Sequence, residues 1–317
     1  MTALAPRPKT SRARTSAPRR AGAGHVLAPF AVALLAAAGV AATYLAFVRT
    51  ATGQYADTTA MLGGDVHHPR VVEVLDRALN GTTLVSLVLV CLAAATIGVL
   101  RHRVDLAIGA TVLVLGANAS CQLLKTRLPR PDLADHPGPN SFPSGHTAAA
   151  ASVAFALILV LPAAVRGIVA LAGAAYVTVI AIATVWAEWH RPSDTVAAVL
   201  LVLAWSALAA FGIRLFRHRA TGPAARPGKL ATMLLLAVAV VAGAAGLFGL
   251  ISEVMAVRVT PELVSSRFVF LTASAGIAAA VAAGFLVWTW LAAGDRGADT
   301  APAKASRPAR SPKGGKK

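Results

Sequence analysis

Hydrophobic positions in this chain come in long blocks separated by short polar segments. Eight apolar runs stand at roughly 26–48, 81–100, 106–124, 147–165, 168–187, 195–213, 230–251 and 268–291, each close to the ~20 residues a helix needs to cross a bilayer core. The first run is about 23 residues long, beyond the 7–15 of a signal-peptide core, so it reads as a retained helix. Between the first two runs, Val71, Val72, Val74, Leu75 and Leu79 recur at a spacing that suits a short surface helix. Residues 1–24 and 295–317 are basic, low in complexity and without periodic apolar positions, which predicts disordered tails. The expected fold class is therefore all-α: a polytopic membrane helix bundle of about eight spans. Its expected division is a six-span core over 25–214, two additional helices over 215–294, and the two tails.

Composition supports that reading. Of 317 residues, 56% are hydrophobic and 14% charged, against about 45–50% and 25% in ordinary soluble domains. That surplus of apolar side chains cannot be hidden in one core of this length, which excludes a soluble enzyme, a disordered tail protein and a disulfide-stapled secreted domain. Cys91 and Cys121 both lie in apolar runs, so no disulfide framework and no cysteine metal site is available.

The net charge of +17 would suggest nucleic acid in a soluble domain, but its distribution argues otherwise. With eight spans both termini fall on one side, and that side carries 21 of the 30 Lys and Arg but only 3 of the 13 acids. By the positive-inside rule it is cytoplasmic, and the basic excess is a topology signal with added attraction to anionic headgroups. The expected location is the cell membrane, with no nucleic-acid partner. Oligomeric state is left open.

Chemistry-bearing residues gather on the opposite side. Lys125, Arg127, Arg130, Pro131 and Asp132, then Asn140 and Pro143-Ser144-Gly145-His146, separate spans three and four; Trp186, Glu188, Trp189, His190, Arg191, Pro192, Ser193 and Asp194 separate spans five and six. Ionisable groups at membrane depth are costly and usually functional. In Pro-Ser-Gly-His, Ser144 can cap a helix whose free N–H groups and dipole suit a phosphate, and Gly145 lets backbone approach an anion. His146, in the first turn, can protonate a leaving oxygen. A plain capped helix with an interfacial His explains that stretch about as well. Pro192 suits the first helical turn, which puts Asp194 just inside the helix and His190 just before it. Asp194 can then fix the tautomer of His190 and leave its other nitrogen to attack phosphorus. An Asp complementing the helix dipole beside an interfacial His is the blander reading of the same residues.

The order Lys…Arg-Pro, Pro-Ser-Gly-His, His-x-x-x-Asp resembles the type 2 phosphatidic acid phosphatase superfamily of lipid phosphate phosphatases and vanadium haloperoxidase relatives. The resemblance extends over about residues 26–214 and implies a six-helix core. It implies that His190 is a nucleophile forming a phosphohistidine, that Asp194 orients it, and that His146 protonates the leaving group. Lys125, Arg130, Ser144 and Gly145 would hold the phosphate. No metal or other cofactor is implied, and the partner is a lipid phosphate presented by the bilayer: a polyprenyl diphosphate, phosphatidic acid or phosphatidylglycerol phosphate. The Ala-, Arg- and Pro-rich composition fits a high-GC actinobacterial source.

Two features depart from the family pattern. Four residues rather than six separate Lys125 from Arg130, and two residues rotate a helical side chain by ~200°, which makes Arg127 a substitute phosphate ligand. Where the family has Ser-Arg six residues before its nucleophile, this chain has Ala183 and Thr184. Arg191 either compensates or is an interfacial charge. The main expectation is a metal-independent lipid phosphate phosphatase acting at the outer face. The alternatives are a degenerate member that binds lipid phosphates without turnover, and a transporter, which few mid-span ionisable residues support.

Overall fold

A computed structural model describes residues 23–64, 69–70, 73, 77, 84–133, 138–216, 228–259 and 265–293. The surface helix expected around Val71, Val72, Val74, Leu75 and Leu79 lies outside the described residues, as do the tails 1–22 and 294–317. Among the described residues the elements are helical: α1 (Ala23–Thr43, continued by a π-helical turn Tyr44–Val48), α2 (Ala51–Leu62), α3 (Leu84–Leu100), α4 (Val104–Arg127), α5 (Gly145–Val160), α6 (Ala163–Trp186), α7 (Pro192–Phe216), α8 (Lys229–Val259) and α9 (Ser266–Ala293).

Each of the eight apolar runs forms a long helix, and six are long and apolar enough to cross a membrane; α3 and α5 hold shorter apolar stretches. The chain is a membrane protein. The fourth run is corrected at its end. The helix stops at Val160 rather than 165, because Pro162 forces Leu161 into an extended conformation and α6 starts at Ala163. The seventh run is longer than its apolar composition indicated, so Glu253 falls inside α8 and not beyond it.

The core is built on α4, α5, α6 and α7, and α9 is packed into it as a full member. Phe155 of α5 meets Phe285 edge-on at 4.8 Å and stacks on Trp288 at 5.7 Å, while Trp288 Nε1 donates to the Phe155 carbonyl at 3.0 Å. α8 leans on α9 through glycines: a Cβ on Gly246 would come within 2.7 Å of Gly276. Small residues permit this approach in lipid, where packing rather than hydrophobic burial drives association. The seam runs along Gly243, Gly246 and Gly249 and does not use Ala245, which is exposed.

The bundle has two chemically different ends. At one, arginines cap helix C-termini: Arg101 bonds the Val160 carbonyl at 2.7 Å, Arg166 that of Ala292 at 3.2 Å, and Arg214 that of Leu291 at 2.5 Å. Cations there complement the negative dipole ends. At the other end lie the starts of α5 and α7, the ends of α4 and α6, and α2.

Candidate active site

Local structure explains how this end is built. α6 finishes in a Schellman motif, with Glu188 in the left-handed region (φ 57°), its N–H on the Val185 carbonyl and the Trp189 N–H on that of Thr184. The His190 N–H also reaches the Thr184 carbonyl, at 3.1 Å. His190 is thus anchored by the end of α6, two residues before α7 begins. Pro192 takes the first position of α7, and the Asp194 carboxylate reaches back to the Arg191 N–H at 3.0 Å, the return half of a capping box.

Asp194 is fully buried and is the hub of the site. Its Oδ2 accepts from Ser141 Oγ at 2.6 Å, the Arg191 N–H at 3.0 Å and His190 Nδ1 at 3.3 Å; its Oδ1 meets Arg130 Nη1 at 3.5 Å. A carboxylate only accepts, so the proton of the neutral imidazole sits on Nδ1 and Nε2 carries the free lone pair. The loop before α5 is tied to the same hub, because the Ser144 N–H bonds the Asp194 carbonyl at 2.9 Å.

A groove of about 800 Å3 opens beside these residues, lined by Lys125, Ser141, Gly145, His146, Trp189 and His190 and by Asn118, Ala119, Cys121 and Gln122 of α4. From Lys125 down to Asn118 is seven residues, or about 10 Å of helix, and Cys121, Ala119 and Ala149 make that stretch largely apolar. His146 packs against Trp189 with ring centres 5.4 Å apart. A Cβ on Gly145 would meet no protein atom, so the backbone at the start of α5 is open toward the groove. Helix starts with accessible N–H groups bind phosphate.

The expected residues are thus sorted by the fold. Lys125, Gly145, His146 and His190 share the groove. α4 stays helical to Arg127 with Lys125 facing the groove, and the chain then leaves the helix at Leu128, so the shortened spacing to Arg130 is absorbed outside the helix. Asn140 holds this exit, donating to the carbonyls of Lys125 and Leu128 at 3.1 and 3.0 Å. Arg127 is exposed and off the groove. Ser144 is fully buried, and its hydroxyl accepts from Thr147 rather than facing the groove. Arg191 is buried with its Nε on Thr58 Oγ1 at 3.1 Å. Thr184 is fully buried, with its hydroxyl on the Ala181 carbonyl. Arg130 sits between Asp194 and Asp57, and its Nε and Nη2 have no hydrogen-bond partner among the described residues.

Four residues of this end carried no signal in the motifs. Ser141 lies next to Asn140 but outside any motif. Asp57, Thr58 and Gln54 come from α2, 67 to 71 residues upstream of Lys125, where the first motif begins. Asp57 accepts from both the N–H and the hydroxyl of Ser193, and Gln54 bonds the Pro131 carbonyl at 2.6 Å and the Leu133 N–H at 3.2 Å. Burial and the nearby Asp194 charge push the Asp57 carboxyl up to about 7, against the Ser193 hydrogen bonds and Arg130. Asp57 is one of four acids between the first two apolar runs, and no spacing singles it out.

No curated protein and no solved structure matches the chain. A family model does match, over residues 82–215. This is narrower than the 26–214 implied by the motifs: α1 and α2 lie before the matched segment, and α8 and α9 after it. The model is that of the PAP2 superfamily, and the matched segment contains the Lys125–Arg130, Pro143–His146 and His190–Asp194 motifs.

Proposed function

We propose that the protein is a lipid phosphate phosphatase that cleaves a phosphomonoester or diphosphate through a phosphohistidine. The observation that carries this reading is the His190–Asp194 contact in a groove shared with His146 and Lys125. The superfamily includes lipid phosphatases and haloperoxidases.

In the proposed reaction, His190 Nε2 attacks phosphorus as the bond to the leaving oxygen breaks. Protonated His146 transfers its proton to that oxygen. The ring of the phosphohistidine is cationic, and the Asp194 carboxylate on Nδ1–H stabilises it. Water then attacks phosphorus, His146 takes its proton, the P–N bond breaks and inorganic phosphate leaves. The charge on the equatorial oxygens is met by Lys125 and by the start of α5 at Gly145, while Arg130, behind the groove between Asp194 and Asp57, adds positive charge. The apolar run of the groove along α4 takes the first part of the lipid chain. By the positive-inside argument this end faces the outside of the cell membrane, with both termini cytoplasmic.

Phosphate release from a panel of lipid phosphates by the purified protein tests the reading, with trapping of a phosphorylated enzyme. The natural protein should turn over at least one of them, and His190→Ala should give neither phosphate nor phosphoenzyme. Full activity in His190→Ala refutes the assignment. A second reading, binding without turnover, is favoured by one observation: Thr184 supplies no groove donor where the family pattern has arginine. It holds if lipid phosphates bind and none is hydrolysed.

A further inference from the structure

A second cavity, of about 340 Å3, lies beside the start of α7 and shares no lining residue with the groove. Asp57 of α2 and Pro192 and Ser193 of α7 close one side; Thr43 and Phe47 of the α1 segment form another; α8 and α9 complete it, including Gly246, Glu253 and Ala280. Much of it falls outside the matched family segment.

Glu253 is the unexplained group. It is 4% exposed, and its Oε1 has no hydrogen-bond partner among the described residues. The other carboxyl lining this cavity is Asp57, of the same sign. Neither of the buried guanidinium groups at this end of the bundle lines the cavity. Arg130 meets Asp194 and Asp57, and Arg191 meets Thr58. Glu253 has no ion-pair partner among the described residues. An uncompensated charge in an apolar, lipid-depth wall is costly, and such residues mark ligand sites.

We propose that this cavity binds a single-chain amphiphile with a primary ammonium head. The head pairs with Glu253, and the chain lies along the glycine- and alanine-rich wall between α8 and α9. The sign of the ligand follows from Glu253, whose buried carboxyl lines the cavity with one oxygen unpartnered among the described residues. Its apolar body follows from the lining, where few polar groups other than Asp57, Ser193 and Glu253 are present. A single chain follows from the volume, at the lower end of the ~300–1,000 Å3 typical of small-molecule pockets.

The test is thermal melting of the full-length protein in uncharged detergent at pH 8, titrated with decylammonium, decanol or decanoate. Decylammonium should raise Tm saturably, with an apparent affinity at least tenfold above the other two. Glu253→Gln should weaken it at least tenfold, and Ala280→Leu, which fills the cavity and keeps the charge, should do the same. Equal shifts with decanol, unchanged binding in Glu253→Gln, or no shift with decylammonium overturn the proposal. A shift produced only by a two-chain aminolipid overturns the single-chain assignment. Phosphate release is not read in this experiment, so its outcome and that of the phosphatase reading are independent.

Discussion

Ser141→Ala isolates the part of the site that orients the nucleophile without touching it. Ser141 Oγ donates to Asp194 Oδ2 at 2.6 Å and accepts from Arg130 Nη1 at 3.1 Å. Hydrogen bonds to charged groups contribute about 1.5–3 kcal/mol each. Asp194 keeps the Arg191 N–H and His190, whereas Arg130 Nη1 keeps only the 3.5 Å contact to Asp194. Partial relaxation of both groups puts the expected destabilisation at about 2–4 kcal/mol. If roughly half of that, about 1–2 kcal/mol, is felt as a less well-held imidazolium in the phosphorylation step, kcat falls about 5–30-fold. The assays are thermal melting and steady-state phosphate release in the same detergent, with Ser141→Thr as the control that keeps the hydroxyl. A Ser141→Ala protein with natural Tm and kcat would refute the orienting role. A raised KM with unchanged kcat would show that Ser141 binds substrate instead.

Three further expectations can be checked with the same purified protein. Thr184→Arg should lower both Tm and activity, because position 184 is fully buried and an unpaired buried charge costs several kcal/mol; a gain in kcat/KM would refute this. Glu188→Gly should stabilise by about 0.5–1 kcal/mol, since Glu188 holds φ 57° and glycine adopts that region without the Cβ penalty, less its own entropic cost; a fall in Tm would count against the Schellman geometry. The Asp57 carboxyl sits at about 7 when folded, against an ordinary value of 3.8, so the native state holds the extra proton between those pH values and stability falls as pH rises through that window. Asp57→Asn should remove that component, and an unchanged difference in Tm between pH 4.5 and pH 7.5 would refute the assignment.

The sequence by itself determined the apolar spans and the places of the motif residues along them. Apolar blocks near the length of a bilayer crossing leave the backbone no choice but helix, because every N–H and C=O in lipid must be satisfied within the segment. Helix starts were legible at Ser144 and Pro192 because capping is local, and the His190–Asp194 spacing placed both residues at one helix start. What only the tertiary structure decided is which cations face the groove. Lys125 does, Arg127 does not, and Arg130 and Arg191 are held by groups of α2 and α7. These outcomes depend on contacts more than 60 residues apart in sequence, between Arg130 and Asp57 or Arg191 and Thr58, which no spacing rule encodes. The integration of α9 into the core through Trp288 and Phe155, and the isolation of Glu253 in a second cavity, have the same origin. Hydropathy measures how well a helix suits lipid, and it is blind to which neighbour replaces that lipid once the helices pack.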